Sequence, residues 1–294
     1  MDYPCEGFSQ LHIDVARFAT DDFNPFHDGG KWRRIRGNPF GGPIVLGFQT
    51  VTWLTEQLDC FRRQQEDPRR LREMPYLNYR INFASALGPG QAFVLTVKRS
   101  RFDGERGVLG NRLVIKSGAG MVIMGQHSRS YRPQICSAWQ WPGLPDLIHC
   151  QDRSEIGGRW FLKRKFMMTA NAKNFLLGCR VEPANYFDEL ENRVRFPVMF
   201  PLSYISCALL ERVQRSGYDF EAGPMVYSKH EVSVDLEVAE RIRSNDRLHI
   251  LVAAEEESED LQRFLCLGLI GNTPLFQAMI SLVPLAQIVR ALHH

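Results

Sequence analysis

The fold is indicated first by residues 43–60, which read PIVLGFQTVTWLTEQLDC. Apolar residues recur at helical spacing along this stretch, and Pro43, with two glycines before it, supplies a suitable start. The stretch therefore predicts a long, largely buried helix. Such a helix must pack against other elements, and the sequence that follows has the patterns of strands.

Two pairs of alternating segments follow this helix. Residues 76–101 contain two such runs around a Gly-Pro-Gly turn, and residues 111–133 contain two more around a pair of glycines. We therefore predict a loop, a long helix and an antiparallel meander, in that order.

The second half of the chain repeats this order. Pro197 lies 154 residues after Pro43 and opens another apolar stretch of helical spacing at 197–213. Two strands around a polar turn follow at 225–256, and a terminal hairpin follows at 261–285. Shared order and spacing with little identity are typical of duplicated units. We predict an α+β fold of two tandem units, each a long central helix wrapped by an antiparallel sheet.

The predicted boundaries follow from a change of composition between the halves. Residues 1–133 form the N-terminal unit and residues 164–294 form the C-terminal unit. Residues 134–163 carry three tryptophans without a sustained period. Free linkers rarely carry so much indole surface, so this linker is expected to pack on the fold.

Charge and composition argue against several classes of protein. Lys plus Arg number 36 and Asp plus Glu number 33 among 294 residues, which is too balanced for a typical nucleic-acid-binding protein. No apolar run approaches the ~20 residues that a membrane span requires, and the N-terminal residues do not resemble a secretory signal. The seven cysteines contain no C-x-x-C pair. We expect a cytoplasmic protein with reduced thiols and no structural zinc.

Candidate catalytic groups lie in residues 18–30, which read FATDDFNPFHDGG. Pro25 excludes a continuous helix, so the segment is a turn or an irregular loop. In such a loop Asp22 and His27 can converge on one point while the Asn24 side chain holds the turn. A carboxylate and an imidazole directed at one water are a general acid/base unit. On composition alone, a surface turn with a capping pair is the commoner interpretation.

Gly47 is the second candidate component. It lies near the N-terminus of the predicted helix, where backbone N–H groups lack partners within the helix. A glycine there lets a carbonyl oxygen approach the amide closely, which is the geometry of an oxyanion hole.

The ordered combination of these motifs resembles the MaoC-like family of (R)-specific enoyl-CoA hydratases and dehydratases. The family pattern of Asp, any residue, Asn-Pro, an apolar residue and His corresponds here to residues 22–27, DFNPFH. Its Pro-Ile-Val-His-Gly-Met segment corresponds to residues 43–48, PIVLGF, and its strand segment to residues 81–90, INFASALGPG. The resemblance covers about residues 12 to 133.

This resemblance implies a double hot-dog fold and a function. Asp22 and His27 would activate the water of a reversible hydration, with Asn24 and Pro25 supporting the turn. The N–H of Gly47 would bind the thioester oxygen. The substrate would be an acyl-CoA or an acyl-carrier-protein thioester, and no metal or other cofactor would be needed. A duplicated chain would be a monomer that forms a pseudo-dimer, or a homodimer.

Two features depart from the family pattern. The histidine usual before the glycine is Leu46 here, which puts the activity of the site in question. The segment after the dyad is unusually basic: Lys31, Arg33, Arg34 and Arg36 would contact the phosphates of the thioester arm or form a solvated basic loop.

The second unit is expected to be degenerate. No histidine occurs between His149 and His230, and Pro201 stands 154 residues after Gly47. Proline has no N–H to donate to an oxyanion. This unit would complete the sheet and line an acyl tunnel.

Two alternatives remain open from the sequence. A thioesterase of the hot-dog fold would use Glu56 on the long helix as its base. A non-catalytic acyl-thioester binding protein would retain the dyad without turnover.

Overall fold

The computed structural model describes residues 1–134 and 143–292. Residues 135–142 of the predicted linker, with two of its three tryptophans, lie outside the described residues.

The two long predicted helices are present at the centre of each half. The helices are α1 (Gln10–Ala19), α2 (Gly47–Gln65), α3 (Pro68–Glu73), α4 (Thr169–Gly178), α5 (Met199–Arg215), α6 (Leu236–Glu240) and α7 (Leu285–Leu292). The stretch predicted to be helical from residue 43 is α2, which begins at Gly47, and its counterpart from residue 197 is α5. Helix α1 was not predicted, although Ser9 is a good N-cap and its side chain accepts a hydrogen bond from the His12 N–H.

The strands form one large antiparallel sheet and one short separate ladder. They are β1 (Asp2–Cys5), β2 (Tyr76–Phe83), β3 (Phe93–Val97), β4 (Arg101–Asp103), β5 (Val108–Ser117), β6 (Gly120–Ser130), β7 (Glu155–Ile156), β8 (Trp160–Phe166), β9 (Phe187–Asp188), β10 (Arg193–Val194), β11 (Met225–Asp235), β12 (Arg247–Glu257), β13 (Gln262–Ile270) and β14 (Thr273–Pro284).

The strand order of the large sheet displays the internal repeat. In the N-terminal half the order is β1-β3-β5-β6-β2, and in the C-terminal half it is β8-β12-β13-β14-β11. The two halves join where β2 pairs with β11, with Tyr79 opposite Val232 and Ile81 opposite His230. The short strands β9 and β10 pair with each other outside this sheet.

The predicted meander was wrong in one respect. Strand β2 pairs with β6 and β11 rather than with β3, and β11 pairs with β14 and β2 rather than with β12. The alternating pattern specifies which face of a strand is buried and not which strand lies beside it, so the order along the chain did not determine these partners. The hairpins β5–β6 and β13–β14 are present as predicted.

Helices α2 and α5 lie on one face of the sheet and share a continuous apolar core with it. Phe48, Leu54 and Leu58 of α2 are buried with Ile81 of β2 and Phe200 of α5 in this core. The other face of the C-terminal half is covered by the segment around Leu147, which is fully buried against β12 and β13. The segment around Leu147 in the predicted linker thus lies against the sheet, whereas β7 and the first residues of β8, also within the predicted linker, are strands of the sheet itself.

A second contact between the halves is made by α1 and α4. A Cβ atom on Gly178 would lie 2.7 Å from the backbone nitrogen of Ala16, so a side chain there would push the two helices apart. The Gln49 amide on α2 also donates to the Gly178 carbonyl at 2.6 Å. Among the described residues, no helix is both long enough and apolar enough to cross a membrane.

Candidate active site

The loop after α1 is positioned by a sharp reversal of the chain. Asp21 adopts a φ of 52°, and the Asp22 N–H donates back to the Arg17 carbonyl at 2.8 Å. Asparagine and aspartate adopt this left-handed conformation more readily than most residues, which fits the sequence at this position. The reversal carries Asp22 into the protein, where its side chain is 4% exposed.

Side chains hold the following turn by short-range hydrogen bonds. The Asp22 carboxylate accepts from the Asn24 N–H at 3.0 Å, and the Asn24 side-chain oxygen accepts from the Phe26 N–H at 3.1 Å. Pro25 begins a single 3₁₀ turn that ends at His27. Each bond spans two residues, so this geometry is encoded locally. His27 is only 5% exposed.

His27 is oriented by a backbone carbonyl. Its Nδ1 lies 2.8 Å from the Ile44 oxygen, and the Ile44 N–H donates to the Phe26 carbonyl at 2.9 Å. Since a carbonyl only accepts, Nδ1 carries the proton in the neutral ring and Nε2 is left as the acceptor. These bonds also fix the catalytic loop to the segment that leads into α2.

Gly47 is the first residue of α2, so its N–H has no acceptor within the helix. A Cβ atom at this position would lie 3.3 Å from the Phe83 ring and 3.5 Å from the Tyr227 ring. The preceding residue, Leu46, is 3% exposed and packs in the apolar core. The departure from the family pattern at this position therefore places an aliphatic side chain in the core.

Two small cavities, each of about 80 Å³, lie beside these residues. One contacts Gly47, Thr50 and Phe83, and the other contacts His27. Val226 and Tyr227, from β11 of the C-terminal half, line both. The candidate groups of the N-terminal half therefore face a wall that the C-terminal half supplies.

Tyr227 is the polar residue of this wall. Its hydroxyl lies 2.8 Å from the Ser206 hydroxyl of α5, and its ring packs 4.6 Å from the His230 ring. Burial raises the pKa of the Tyr227 phenol, and the negative charge of Asp22 raises it further. Neither Tyr227 nor Ser206 was predicted to be a site residue, because their approach to Asp22 and Gly47 depends on the pairing of distant strands.

Comparison with solved structures identifies the architecture, whereas no protein family model and no curated protein matches the sequence. A MaoC-like dehydratase aligns over 96% of this chain and 97% of its own, with a TM-score of 0.59 and 11% identity. A putative MaoC domain dehydratase from Chloroflexus aurantiacus J-10-fl aligns over 96% of this chain and 93% of its own, with a TM-score of 0.60 and 9% identity.

A third similar structure is a conserved hypothetical protein from Mycobacterium tuberculosis with a double hotdog fold. It aligns over 97% of this chain and 96% of its own, with a TM-score of 0.55 and 11% identity. The chain has a double hot-dog fold. The predicted α+β fold class is confirmed, and the predicted resemblance to MaoC-like dehydratases is confirmed at the level of the fold.

The duplicated hot-dog units allow the candidate catalytic loop after α1 to be compared with the loop after α4. The Val181 N–H donates to the Leu176 carbonyl at 2.9 Å, in the same position after α4 as the Asp22 bond after α1. A 3₁₀ turn follows in both units, and it ends at His27 in the first and at Asn185 in the second. His27 is buried and Asn185 is exposed, so the second unit has an apolar residue and an exposed amide in this part of the sequence rather than a buried Asp/His pair.

The start of α5 also differs from that of α2. Helix α5 begins at Met199, and Pro201 is its third residue. The residue that corresponds to Gly47 as the first residue of its helix is therefore Met199, and not Pro201 as the offset of 154 residues predicted. Met199 is buried.

The four basic residues after the dyad are exposed on the surface of the N-terminal hot-dog unit. Arg34 pairs with Glu221 at 2.8 Å, and Arg33 stacks 4.9 Å from the centre of the Trp32 ring. Lys31 and Arg36 are also exposed. None of the four is among the described residues that line the two cavities.

Glu56 lies apart from Gly47 along the same helix. Nine residues separate them, which corresponds to about 13.5 Å at ~1.5 Å per residue. Glu56 accepts a hydrogen bond from the Tyr186 hydroxyl, and burial raises the pKa of its carboxyl. The structure therefore does not bring the candidate thioesterase base to the candidate oxyanion hole.

Groups of three or more histidine, cysteine, aspartate or glutamate side chains that could bind a metal do not occur within residues 1–134 and 143–292.

Proposed function

We propose that this double hot-dog protein belongs to the MaoC-like family and catalyses the reversible hydration of a 2-enoyl thioester to a 3-hydroxyacyl thioester. The observation that carries the proposal is the orientation of His27. The Ile44 carbonyl holds Nδ1, so Nε2 is free to accept a proton, and Ile44 is only three residues before Gly47. One short segment thus links the candidate base to the candidate oxyanion hole.

The proposed reaction adds one water across the C2–C3 double bond. The oxygen of water bonds to C3 while His27 or Asp22 accepts the departing proton, and the Asp22/His27 pair then returns one proton to C2, so that its own protonation state is restored. The electron pair of the double bond passes through C2 to the thioester oxygen, where the Gly47 N–H stabilises the negative charge. Dehydration follows the same steps in reverse.

The substrate arm is proposed to be coenzyme A or an acyl carrier protein. Lys31 and Arg36 lie in the exposed basic segment that follows His27, and they are candidates for contacts to its phosphates. Arg33 and Arg34 are in the same segment, and Arg34 would first have to leave Glu221.

The test is to incubate the protein with crotonyl-CoA while following loss of the enoyl absorbance and release of free thiol. We expect hydration in the wild type and a loss of about 10²-fold or more in Asp22→Asn and His27→Ala, the usual size of a general acid/base contribution. Asn185→Ala is the matched control, because Asn185 ends the 3₁₀ turn of the second unit, is exposed and is not among the residues that line the two cavities. Full hydration by His27→Ala would show that the proposed mechanism is wrong.

The same assay tests the two alternatives. Thiol release that depends on Glu56 would indicate a thioesterase. The third candidate is an acyl-thioester binding protein, and the observation that favours it is Leu46, which replaces the histidine of the family pattern. Binding of acyl-CoA without loss of absorbance or release of thiol would support this third function.

A further inference from the structure

The role of the second hot-dog unit depends on what it contributes to the site. It lacks the Asp/His pair, but its strand β11 places Tyr227 against both cavities. The ring lies next to Gly47, where a Cβ atom would approach it to 3.5 Å, and the negative charge of Asp22 acts on its phenol. Tyr227 therefore adjoins each part of the proposed hydration site.

The position of the Tyr227 ring is fixed by its neighbours. His230 packs 4.6 Å from it, while the Phe48 and Phe83 rings lie 6.3 and 6.4 Å away. These rings pack around the Tyr227 ring, and its hydroxyl is hydrogen-bonded to the Ser206 hydroxyl. The hydroxyl is thus held at a defined place rather than free to rotate into solvent.

The hydrogen-bonding capacity of this hydroxyl is only partly used. A tyrosine hydroxyl donates one hydrogen bond and accepts others, and the bond with Ser206 uses one of these positions. If Ser206 donates, the phenol proton remains available to a group in the cavity.

We propose that Tyr227 is a third catalytic residue, whose hydroxyl binds the reacting water opposite His27, and that Ser206 is a positioning residue that orients this hydroxyl. This inference rests on the proposed hydration activity and assigns a catalytic contribution to the C-terminal unit. The phenol donates a hydrogen bond and keeps its proton throughout; the proton that leaves water passes to His27 or Asp22. Burial, which raises the pKa of the phenol, keeps it protonated at neutral pH.

The test measures kcat and KM for crotonyl-CoA hydration in Tyr227→Phe, Ser206→Ala and the double variant. Tyr227→Phe retains the packed ring and removes only the oxygen. We expect kcat to fall about 10-fold or more while KM changes by less than about 3-fold, because the lost contact is to water rather than to the thioester. Ser206→Ala should lower kcat by a smaller factor, and Ser206→Thr, which keeps a hydroxyl, should retain most of it.

The double variant tests whether Tyr227 and Ser206 act together or contribute to kcat independently. Once the Tyr227 hydroxyl is absent, Ser206 has nothing to orient, so the double variant should be no slower than Tyr227→Phe. Tyr79→Phe is the matched control, since Tyr79 is a buried tyrosine on the neighbouring strand β2, it lines neither cavity, and its hydroxyl has no partner among the described residues. Its kcat should remain within about 2-fold of wild type.

Two outcomes would overturn the inference in different ways. Hydration by the wild type with kcat unchanged in Tyr227→Phe would refute the role of Tyr227 and leave the proposed function standing. No hydration by the wild type would refute both. If Tyr227→Phe does not fold, as judged by circular dichroism, the comparison of Ser206→Ala with Ser206→Thr decides: equal kcat values for these two would refute the inference.

Discussion

At the residue scale, the candidate site depends on side chains that bond to nearby backbone. Asp22 and Asn24 each accept from an N–H two residues ahead, and Pro25 fixes the next turn. These contacts follow from residue type and spacing, so the turn was predictable from six residues. The orientation of His27 was not, because Ile44 is 17 residues away.

Unlike Asp22, Asn24 and His27, His230 is a buried polar side chain whose ring nitrogens have no hydrogen-bond partner among the described residues. Its ring is fully buried among aromatic rings. We expect His230→Phe to leave the free energy of unfolding unchanged or to raise it by about 1–3 kcal/mol. The substitution removes an unsatisfied buried polar group, which usually costs that much stability. Urea unfolding at pH 7.5 measures this change.

The control is His127→Phe, another fully buried histidine. Its Nδ1 lies 2.9 Å from the Arg62 guanidinium, so this substitution leaves a buried donor unpaired and should lower stability by about 1–3 kcal/mol. An equal loss in His230→Phe would show that the His230 nitrogens bind a buried water or a ligand.

The stability contribution of His230 should also depend on pH. Burial lowers the pKa of its ring to about 3, below the ~6.5 of an unfolded histidine. Between these values the unfolded state binds a proton that the folded state does not, so stability falls as pH decreases. We therefore expect the difference between His230→Phe and wild type to grow from pH 7 to pH 4. A difference that stays constant would contradict this pKa.

At the element scale, a buried arginine of α2, Arg62, adds hydrogen bonds to the sheet beside the apolar core that the helix and the sheet share. Arg62 is 2% exposed, and its guanidinium donates to the Asn111 side-chain oxygen at 2.8 and 2.9 Å and to the His127 carbonyl at 2.8 Å. The charge is near Asp59, and burial lowers the pKa of the guanidinium to about 10, so it remains protonated at neutral pH.

We expect Arg62→Ala to lower the free energy of unfolding by about 3 kcal/mol or more, because it leaves two buried acceptors without their donor. Arg63→Ala is the control; this neighbour is exposed, and its removal should change stability by less than about 0.5 kcal/mol. Equal unfolding midpoints in urea for the two variants would refute the anchoring role of Arg62.

The order of the strands shows where sequence patterns fail at this scale. Alternation predicted most strands, and the glycine turns predicted the β5–β6 hairpin. The partner of β2 was predicted wrongly, because alternation specifies which face is buried and says nothing about which strand lies alongside.

At the scale of the whole molecule, the two units form one sheet and both line the cavities of the candidate site. The cavity beside His27 is lined by residues of the second unit, including Leu209, Val213, Met225 and Leu282. Under the proposed function this cavity would accept the acyl chain, and it is built mainly by the unit that lacks the Asp/His pair.

The size of this cavity predicts a preference for short acyl chains. A volume of about 80 Å³ is far below the ~300–1,000 Å³ of most ligand pockets. If the protein is a hydratase, kcat/KM for crotonyl-CoA should exceed that for a twelve-carbon enoyl-CoA by about 10-fold or more, as measured by loss of enoyl absorbance.

Met225→Ala should reduce this preference by enlarging the cavity. Met124→Ala is the control, because Met124 is 42% exposed on β6 and is not among the residues lining either cavity. Equal rates for both chain lengths in the wild type would contradict the acyl-pocket assignment.

The sequence by itself determined the local features: the Asp22–His27 turn, a long helix within residues 43–60, and the duplication of a helix-and-strand unit. Each depends on residue types a few positions apart, or on a pattern repeated along the chain. Only the tertiary structure decided that β2 pairs with β11, that Ile44 orients His27, and that Tyr227 lines both the cavity beside His27 and the cavity beside Gly47. These contacts join residues distant in sequence. The β2–β11 pairing, which also brings Tyr227 to the first unit, forms because each unit must bury the open edge of its sheet against the other.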